Sequence, residues 1–298
     1  MREIFFNKYF KPLNLLSIIF IVVSVIFLFF KGLNFGVDFK GGTLMELRVS
    51  DKNISITNIR DSFNNMNLNG VKVKEFGNST DFIVMFQSEA INSPELIKDI
   101  KDNIKKKYGM SIDFRRVESV GPKVSSELLK SGIIAITLSL VAMLVYIWIR
   151  FEWQFSIGAI AALFHDVILT LGVFSIFSLE INLSIVAAVL TIVGYSMNDT
   201  VVIFDRVREN LRKFADIKIY ELTNISINQT LSRTIITSAT TLLALLSIFF
   251  FGGEILKGFS LAMILGVVFG TYSSIYIANP VLVFLKVSQR TIVKEEKD

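Results

Sequence analysis

Cysteine is absent from this chain of 298 residues, and histidine occurs only once. Without thiols there is no disulfide framework, no thiol nucleophile and no metal site built on cysteine. A single imidazole also excludes a metal site with several histidine ligands. The chain lacks the GxxxxGK[ST] and GxGxxG loops that bind nucleotide phosphates. We therefore expect no metal, no cofactor and no enzymatic active site.

Charged residues are also scarce. They make up 19% of the chain, against 52% hydrophobic residues, whereas a soluble domain carries about 25% charged residues. The net charge of +5 is modest, and the sequence has no basic run of the kind that binds nucleic acid. Of the 57 charged residues, 28 fall between residues 31 and 127, and most of the others lie in a few short clusters separated by long apolar stretches. This distribution indicates an integral membrane protein.

Six apolar stretches are long enough to span a membrane, since about 20 helical residues cross the hydrocarbon core. The predicted spans are residues 13–30, 132–149, 154–178, 183–204, 234–251 and 258–285. Basic residues precede the first stretch, as they do in a signal peptide. Its apolar run is too long for that, and no small-residue cleavage site follows it. The first span is therefore predicted to be an uncleaved anchor.

The distribution of basic residues predicts the orientation, because cytoplasmic loops are enriched in lysine and arginine. Basic residues lie in segment 1–12, at Arg150, in the 205–233 loop and in the 286–298 tail. The two short loops on the other side, near Glu180 and at 252–257, contain a single basic residue, Lys257. Both termini are therefore predicted to be cytoplasmic, and residues 31–131 to form a domain on the outer side.

The outer segment has the pattern of a small α+β domain. Alternating apolar residues predict strands at 43–49, 71–76, 82–87 and 111–120. Ser55 is a candidate N-cap for a helix, and Pro94 suits the first position of a second helix. Gly77 lies in a predicted hairpin turn, and Gly109 is predicted to end the second helix. The resulting order, βαββαβ, is that of a ferredoxin-like split unit.

Four ionisable residues stand out: His165 and Asp166 within the third span, Asp199 within the fourth and Arg233 at the start of the fifth. Each costs at least about 2.5–3.5 kcal/mol at the centre of a membrane, so each is a candidate for function. Asp199 lies in the cytoplasmic half of the fourth span, and Arg233 lies at the cytoplasmic start of the fifth. We expect the two to lie near enough to pair.

Hydroxyl and amide side chains form a polar stripe on each of the same two spans. Helical spacing aligns Thr191, Tyr195, Asn198 and Asp205 on the fourth span, and Thr234, Thr237, Ser238 and Thr241 on the fifth. Stripes of this kind are expected to face each other inside the bundle rather than lipid. They serve either a functional site or the static hydrogen bonding that holds helices together.

The ionisable residues leave two interpretations open. Burial disfavours the charged form of a carboxylate and a nearby arginine favours it, so Asp199 is suited to load and release a proton. The alternative is a static buried ion pair. His165 and Asp166 form a candidate relay, because imidazole titrates near neutral pH. A histidine–carboxylate pair that locks helix packing fits these two residues equally well.

Small residues recur every four positions in the last span, at Gly258, Ala262, Gly266 and Gly270. Such a stripe lets another helix approach closely. That helix belongs either to this chain or to another subunit.

Several motifs resemble those of the SecF family, a branch of the RND-like superfamily. The family's DFxGGT signature is matched directly after the first span by Asp38-Phe39-Lys40-Gly41-Gly42-Thr43. Further motifs are matched by Ser119-Val120-Gly121-Pro122, by Gly194-Tyr195-Ser196-Met197-Asn198-Asp199-Thr200 and by Ser232-Arg233-Thr234. The resemblance covers essentially the whole chain, including the number of spans and the position of the large loop.

This resemblance implies an accessory subunit of the Sec protein-export channel, SecYEG, in the bacterial inner membrane. Together with SecD it would form a twelve-helix bundle that uses proton flow to draw unfolded polypeptide into the periplasm. The family's proton-passage residues correspond to Asp199 and Arg233, with Asn198 tuning the carboxylate. The signature segment is interpreted as architectural, since Gly41 and Gly42 permit a tight turn with positive φ.

Two alternatives remain. A stand-alone RND-like exporter of small solutes would need larger outer loops after two of its spans, or a homo-oligomer that supplies a second half. A purely structural scaffold would move no ions. Stoichiometric copurification with SecD and channel subunits would separate the first alternative from the export subunit.

Overall fold

The structure is a computed structural model, and it describes residues 4–49, 54–66, 68–76, 78–87, 94–108, 112–214, 217–289 and 291. The chain divides into two compact units. Residues 1–34 and 134–298 form a helical bundle, and residues 35–133 form a smaller unit built on a sheet. Each unit has its own hydrophobic core.

Long helices dominate the chain. In order they are α1 (Phe10–Phe30), α2 (Val37–Lys40), α3 (Ile56–Asn64), α4 (Pro94–Tyr108), α5 (Pro122–Arg150), α6 (Trp153–Ile176), α7 (Leu183–Lys213), α8 (Ile219–Phe251), α9 (Glu254–Ser273) and α10 (Asn279–Phe284). A 3-10 turn, Phe6–Tyr9, precedes α1, and a π-helical turn, Ser274–Ala278, joins α9 to α10. Six helical segments of the described chain are long and apolar enough to cross a membrane. The predicted number of spans is confirmed.

The helices extend beyond the predicted spans. α5 begins at Pro122, and most of the segment 205–233 is helical because α7 continues to Lys213 and α8 begins at Ile219. Hydropathy marks only the part of a helix that is apolar on all sides. The polar extensions persist because they pack against each other: Leu211 and Leu222 are buried, and Asn210 Nδ2 donates to Ser226 Oγ at 2.8 Å.

Four strands form the sheet of the smaller unit: β1 (Gly42–Val49), β2 (Asn69–Phe76), β3 (Asn78–Gln87) and β4 (Ile112–Val120). Their order is β2-β3-β1-β4, and every neighbouring pair is antiparallel. Alternate strand residues such as Met45 and Phe82 are buried in a core with Ile59 of α3 and Ile100 of α4. This topology confirms the predicted ferredoxin-like unit. Two further strands have two residues each, Asn34–Phe35 and Glu180–Ile181.

The local signals in this unit behave as the sequence predicts where the structure describes them. The backbone N–H of Asn58 donates to Ser55 Oγ at 3.4 Å, so Ser55 caps α3. α4 begins at Pro94, whose missing N–H costs nothing at that position. The predicted turn residue Gly77 and the predicted helix stop Gly109 lie outside the described residues.

The glycines of the DFxGGT segment adopt the backbone geometry expected of them. Gly41 has a φ of +75° and Gly42 a φ of +124°. A Cβ at Gly41 would lie 3.3 Å from the Cα of Pro122. Next to it, the hydroxyls of Thr43 and Ser119 share a hydrogen bond at 2.9 Å. Two motifs far apart in sequence therefore meet where β1 begins and β4 ends.

The stripe of small residues in α9 packs against α7. A Cβ at Gly258 would lie 3.3 Å from Ile185 Cδ1, and one at Gly266 would overlap the Ile192 side chain. The close-packing face is therefore used within the chain.

Candidate functional site

Asp166 of α6 lies at the centre of the bundle and has no exposed surface. Its Oδ1 shares a hydrogen bond with Nδ1 of His165 at 2.8 Å. Its Oδ2 accepts from Ser196 Oγ of α7 at 2.5 Å and from Ser273 Oγ of α9 at 2.8 Å. One carboxylate therefore ties three helices together, with partners on both oxygens.

Gly270 allows this cluster to form. A Cβ at Gly270 would lie 3.1 Å from the Cα of Ser196 and 3.6 Å from Asp166 Oδ2. A larger residue would push α9 away from α7 and stretch the hydrogen bonds to Asp166. The glycine that sequence analysis assigned to helix packing thus also makes room for a polar site.

His165 connects the cluster to α1 through an aromatic contact. Its buried ring stacks on Tyr272, with centroids 5.8 Å apart and planes 21° apart. Among the described residues, no group bonds to Nε2 of His165. The hydroxyl of Tyr272 donates to the carbonyl of Leu13 at 2.8 Å and shares a hydrogen bond of 2.8 Å with Ser17 Oγ. The polar interior therefore runs from Asp166 to the first helix.

Asp199 of α7 is also buried, with 4% of its surface exposed, but it is bound less closely. Its Oδ2 accepts from Ser238 Oγ of α8 at 3.5 Å. Ser238 in turn shares a hydrogen bond of 2.7 Å with Thr271 Oγ1 of α9. No other side-chain hydrogen bond to Asp199 is formed within the part of the chain that the structure describes. Asp199 is thus a desolvated carboxylate with one long contact.

Arg233 does not form an ion pair with Asp199 at 4.0 Å or less among the described residues. The expected close pairing is therefore not observed. The reason lies in the helix: consecutive residues are rotated by about 100°. Thr234 is buried against the bundle, and Arg233, its neighbour in sequence, is exposed.

The two predicted polar stripes meet at one place. The hydroxyl of Tyr195 donates to Thr241 Oγ1 at 3.4 Å, whereas Thr191 and Asn198 are exposed. Thr234 and Ser238 of the second stripe are buried. At the end of α7, Asp205 is half-exposed and pairs with Arg150 at 2.9 Å. The stripes face each other at this contact, and α7 buries the adjacent face, which carries Ser196 and Asp199.

Asn198 faces a groove of about 530 Å³ between α5 and α7. The residues that line it are Ser139, Ala142, Met143, Tyr146, Gly194, Met197, Asn198 and Val201. A Cβ at Gly194 would meet no atom within 4 Å. The face of α7 beside Asp199 is therefore open in the described structure.

Several residues of the buried clusters were missed at the sequence level: Ser196, Thr271, Tyr272, Ser273 and Ser17. Three of them belong to the run Thr271-Tyr272-Ser273-Ser274. Four consecutive hydroxyl-bearing residues in an otherwise apolar span were an available signal. They are followed by the π-helical turn, in which Asn279 Nδ2 donates to the carbonyl of Ser274 at 2.7 Å. Such turns often accompany functional sites.

Two family models match the chain. One describes the C-terminal part of the protein export membrane proteins SecD and SecF and matches residues 100–288. The other describes the SecD/SecF GG motif and matches residues 26–52, which include Gly41 and Gly42.

Similar proteins include the protein translocase subunit SecF of Rickettsia bellii (strain OSU 85-389), 44% identical over 267 residues. That alignment covers 89% of this chain and 88% of the relative. The subunit of the same name from Vibrio alginolyticus is 41% identical over 293 residues, covering 98% of this chain and 93% of the relative.

Among solved structures, the chain is similar to SecDF, a translocon-associated membrane protein from Thermus thermophilus. The TM-score is 0.86 at 33% identity over 95% of this chain. A second SecDF structure, in a super-membrane-facing form, gives a TM-score of 0.71 at 32% identity over 99% of this chain. The chain spans 39% and 40% of the length of these two SecDF chains.

Proposed function

The chain belongs to the SecD/SecF family of protein export membrane proteins, and we propose that it couples proton movement to polypeptide export. As a member of this family it is an accessory subunit of the Sec export machinery. The observation that supports the proton step is Asp199, a carboxylate that is buried in the bundle and held by one hydrogen bond of 3.5 Å.

The environment of Asp199 suits a group that changes its protonation state. Burial disfavours the ionised carboxylate, and a single long hydrogen bond from Ser238 offsets that cost only in part. A protonated carboxyl needs no counter-charge. Asp199 therefore takes up a proton when the site opens to the side of high proton concentration, and it releases the proton when a positive charge approaches.

Arg233 supplies that positive charge. Among the described residues it makes no contact ion pair with Asp199, so a small shift of α8 would change its distance from the carboxylate and with it the balance between the two protonation states. Asn198 lies one residue before Asp199 and lines the open groove. Its amide tunes access to the carboxylate from that side. No covalent bond of the substrate is made or broken in this scheme, so the protein is not an enzyme.

SecD is the proposed partner that covers the open face of α7. Thr191, Gly194 and Asn198 are exposed there, which is costly for polar groups in lipid. Six helices then supply half of a twelve-helix bundle, in keeping with the match to part of the SecDF chain. Stoichiometric recovery with SecD and the SecYEG channel would support this assembly. A homotrimer without SecD would contradict it.

The orientation follows from the basic residues of the short loops. The protein lies in the bacterial inner membrane with both termini in the cytoplasm, and the sheet-containing unit lies in the periplasm. There it contacts the unfolded polypeptide as it emerges.

The proton step is tested by Asp199→Asn, which removes the titratable group and keeps its size. We expect inverted membrane vesicles carrying this variant to lose the part of export that the proton gradient drives. Asp205→Asn is the matched control, since Asp205 lies on the same helix but is half-exposed and paired with Arg150. Unimpaired gradient-driven export with Asp199→Asn would show that Asp199 does not carry the proton.

A further inference from the structure

Two buried carboxylates in the bundle reach the same short segment of α9, Thr271–Ser273. Asp199 reaches it through Ser238, which is hydrogen-bonded to Thr271 at 2.7 Å. Asp166 reaches it directly, by accepting from Ser273 at 2.8 Å. Between these two residues, Tyr272 stacks on the histidine that is bonded to Asp166. The two carboxylates are thus connected through three consecutive residues.

The two links lie within about one helical turn of each other on both α7 and α9. On α7, Ser196 lies three residues before Asp199, about one helical turn. On α9, Ser273 lies two residues after Thr271. Asp166 Oδ2 holds Ser196 and Ser273 together, so it fixes α7 against α9 one turn from Asp199. α7 and α9 are in close contact at this position, because a Cβ at Gly270 would lie 3.1 Å from the Cα of Ser196.

The surroundings of Asp166 suit a residue that holds helices together rather than one that exchanges protons. Its carboxylate is fully buried, one oxygen accepts from two serines and the other is bonded to His165. A proton that arrived at Oδ2 would have to displace a donor that links two helices. Asp199, in contrast, has one long hydrogen bond to give up.

We propose that Asp166 is a positioning residue for the Asp199 site. By clamping Ser196 to Ser273 it sets the spacing of α7 and α9, and thereby places the Ser238–Thr271 hydroxyl pair beside Asp199. His165, held by its stack on Tyr272, orients the carboxylate. This inference rests on the proposed function, since it takes Asp199 as the proton carrier.

Asp166→Asn separates positioning from proton transport. The amide oxygen still accepts from both serines, and the amide nitrogen donates to the other tautomer of His165, so the clamp persists while the titratable group is lost. We expect the full complex with this variant to keep gradient-driven export in inverted vesicles, unlike Asp199→Asn. If Asp166→Asn is as defective as Asp199→Asn, Asp166 itself carries the proton and the positioning role is overturned. If Asp199→Asn is active, the proposed function has failed, and the inference fails with it.

Ser273→Ala tests the clamp without touching either carboxylate. Its matched control is Ser260→Ala, because Ser260 is also buried on α9 but donates only to Leu256 and Lys257 of its own helix. We expect Ser273→Ala to move the midpoint of the pH profile of export by about half a unit or more, since the hydrogen bonding of Asp199 changes. Ser260→Ala is expected to leave the profile in place. Superimposable profiles for the two variants, with normal amounts of folded protein, would overturn the proposal.

Discussion

Asp166 and Asp199 are carboxylates buried in one helix bundle, on neighbouring helices, yet their surroundings differ sharply. Asp166 has three side-chain partners at 2.5 to 2.8 Å. Among the described residues, Asp199 has one, at 3.5 Å. Burial alone therefore does not distinguish the proposed proton carrier from Asp166. The number of donors does, because a carboxylate with several donors is held in place and one with a single long hydrogen bond loses little when it changes its charge.

The largest expected difference in stability comes from removing each carboxylate in turn. Asp166→Ala leaves Ser196, Ser273 and His165 without their shared acceptor in the middle of the bundle. We expect it to lower the free energy of unfolding by about 3 kcal/mol or more, because each buried polar group left without a partner costs about 1–3 kcal/mol. Asp199→Ala is expected to change it by about 1 kcal/mol or less, since one long interhelical hydrogen bond is lost. Unfolding of the purified proteins in detergent measures both, and equal losses would remove the distinction.

A second test pushes α9 away from α7 next to the Asp166 cluster. Gly270→Ala places a methyl group 3.1 Å from the backbone of Ser196, and such overpacking typically costs about 1–3 kcal/mol. Gly194→Ala is the matched control on α7, because its methyl group would meet no atom within 4 Å. Thermal unfolding in detergent should show a loss for the first variant only. A loss of the same size at Gly194 would mean that the approach of α9 to α7 is not the cause.

The comparison between the carboxylates was only partly visible in the sequence. Hydropathy and helical spacing predict the six spans, and alternation predicts the strands of the smaller unit, because both report local burial. The ionisable residues His165, Asp166 and Asp199 also stand out, since lipid penalises each of them. Local patterns of this kind identify which residues are unusual.

The number of donors around each carboxylate could not be predicted, because it depends on packing between helices that are distant in sequence. Ser196 and Ser273 resemble any other serine in a span until α7 and α9 are placed side by side. The exposure of Arg233 has the same origin: spacing places it near Asp199 along the bundle, and only the rotation of α8 decides where its side chain lies. The run Thr271–Ser274 was the one local signal that α9 carries more than a packing stripe.

A smaller test compares the donors themselves. Ser196→Ala removes a hydrogen bond of 2.5 Å to Asp166. Ser238→Ala removes one of 3.5 Å to Asp199 together with one of 2.7 Å to Thr271, and Thr271→Val removes only the second of these. Interhelical hydrogen bonds in membranes are worth about 0.6 kcal/mol on average and up to about 1.7 kcal/mol. We expect the loss from Ser196→Ala to lie near the upper value, and the difference between Ser238→Ala and Thr271→Val to lie near the average or below it. Unfolding in detergent distinguishes the two, and the reverse order would contradict the ranking by donor distance.

The smallest expected effect on stability comes from substituting Arg233. This test bears most directly on the contrast between Asp166 and Asp199. Because Arg233 is exposed and makes no contact ion pair with Asp199, Arg233→Gln should change the free energy of unfolding by no more than about 0.5 kcal/mol, as for other surface substitutions. In the proposed mechanism its charge sets the protonation state of Asp199, so gradient-driven export should fall. Arg233→Lys keeps the charge and should retain more export than Arg233→Gln.

Arg206→Gln is the control, since Arg206 pairs with Glu209 on the exposed end of α7. Equal export by the glutamine and lysine variants would show that the charge of Arg233 does not govern Asp199, and a large loss of stability would show that the arginine is structural. An arginine whose substitution barely changes stability but strongly changes export fits the proposed mechanism. Asp199 has few hydrogen-bond partners, so its charge is set by a group that is free to approach and withdraw.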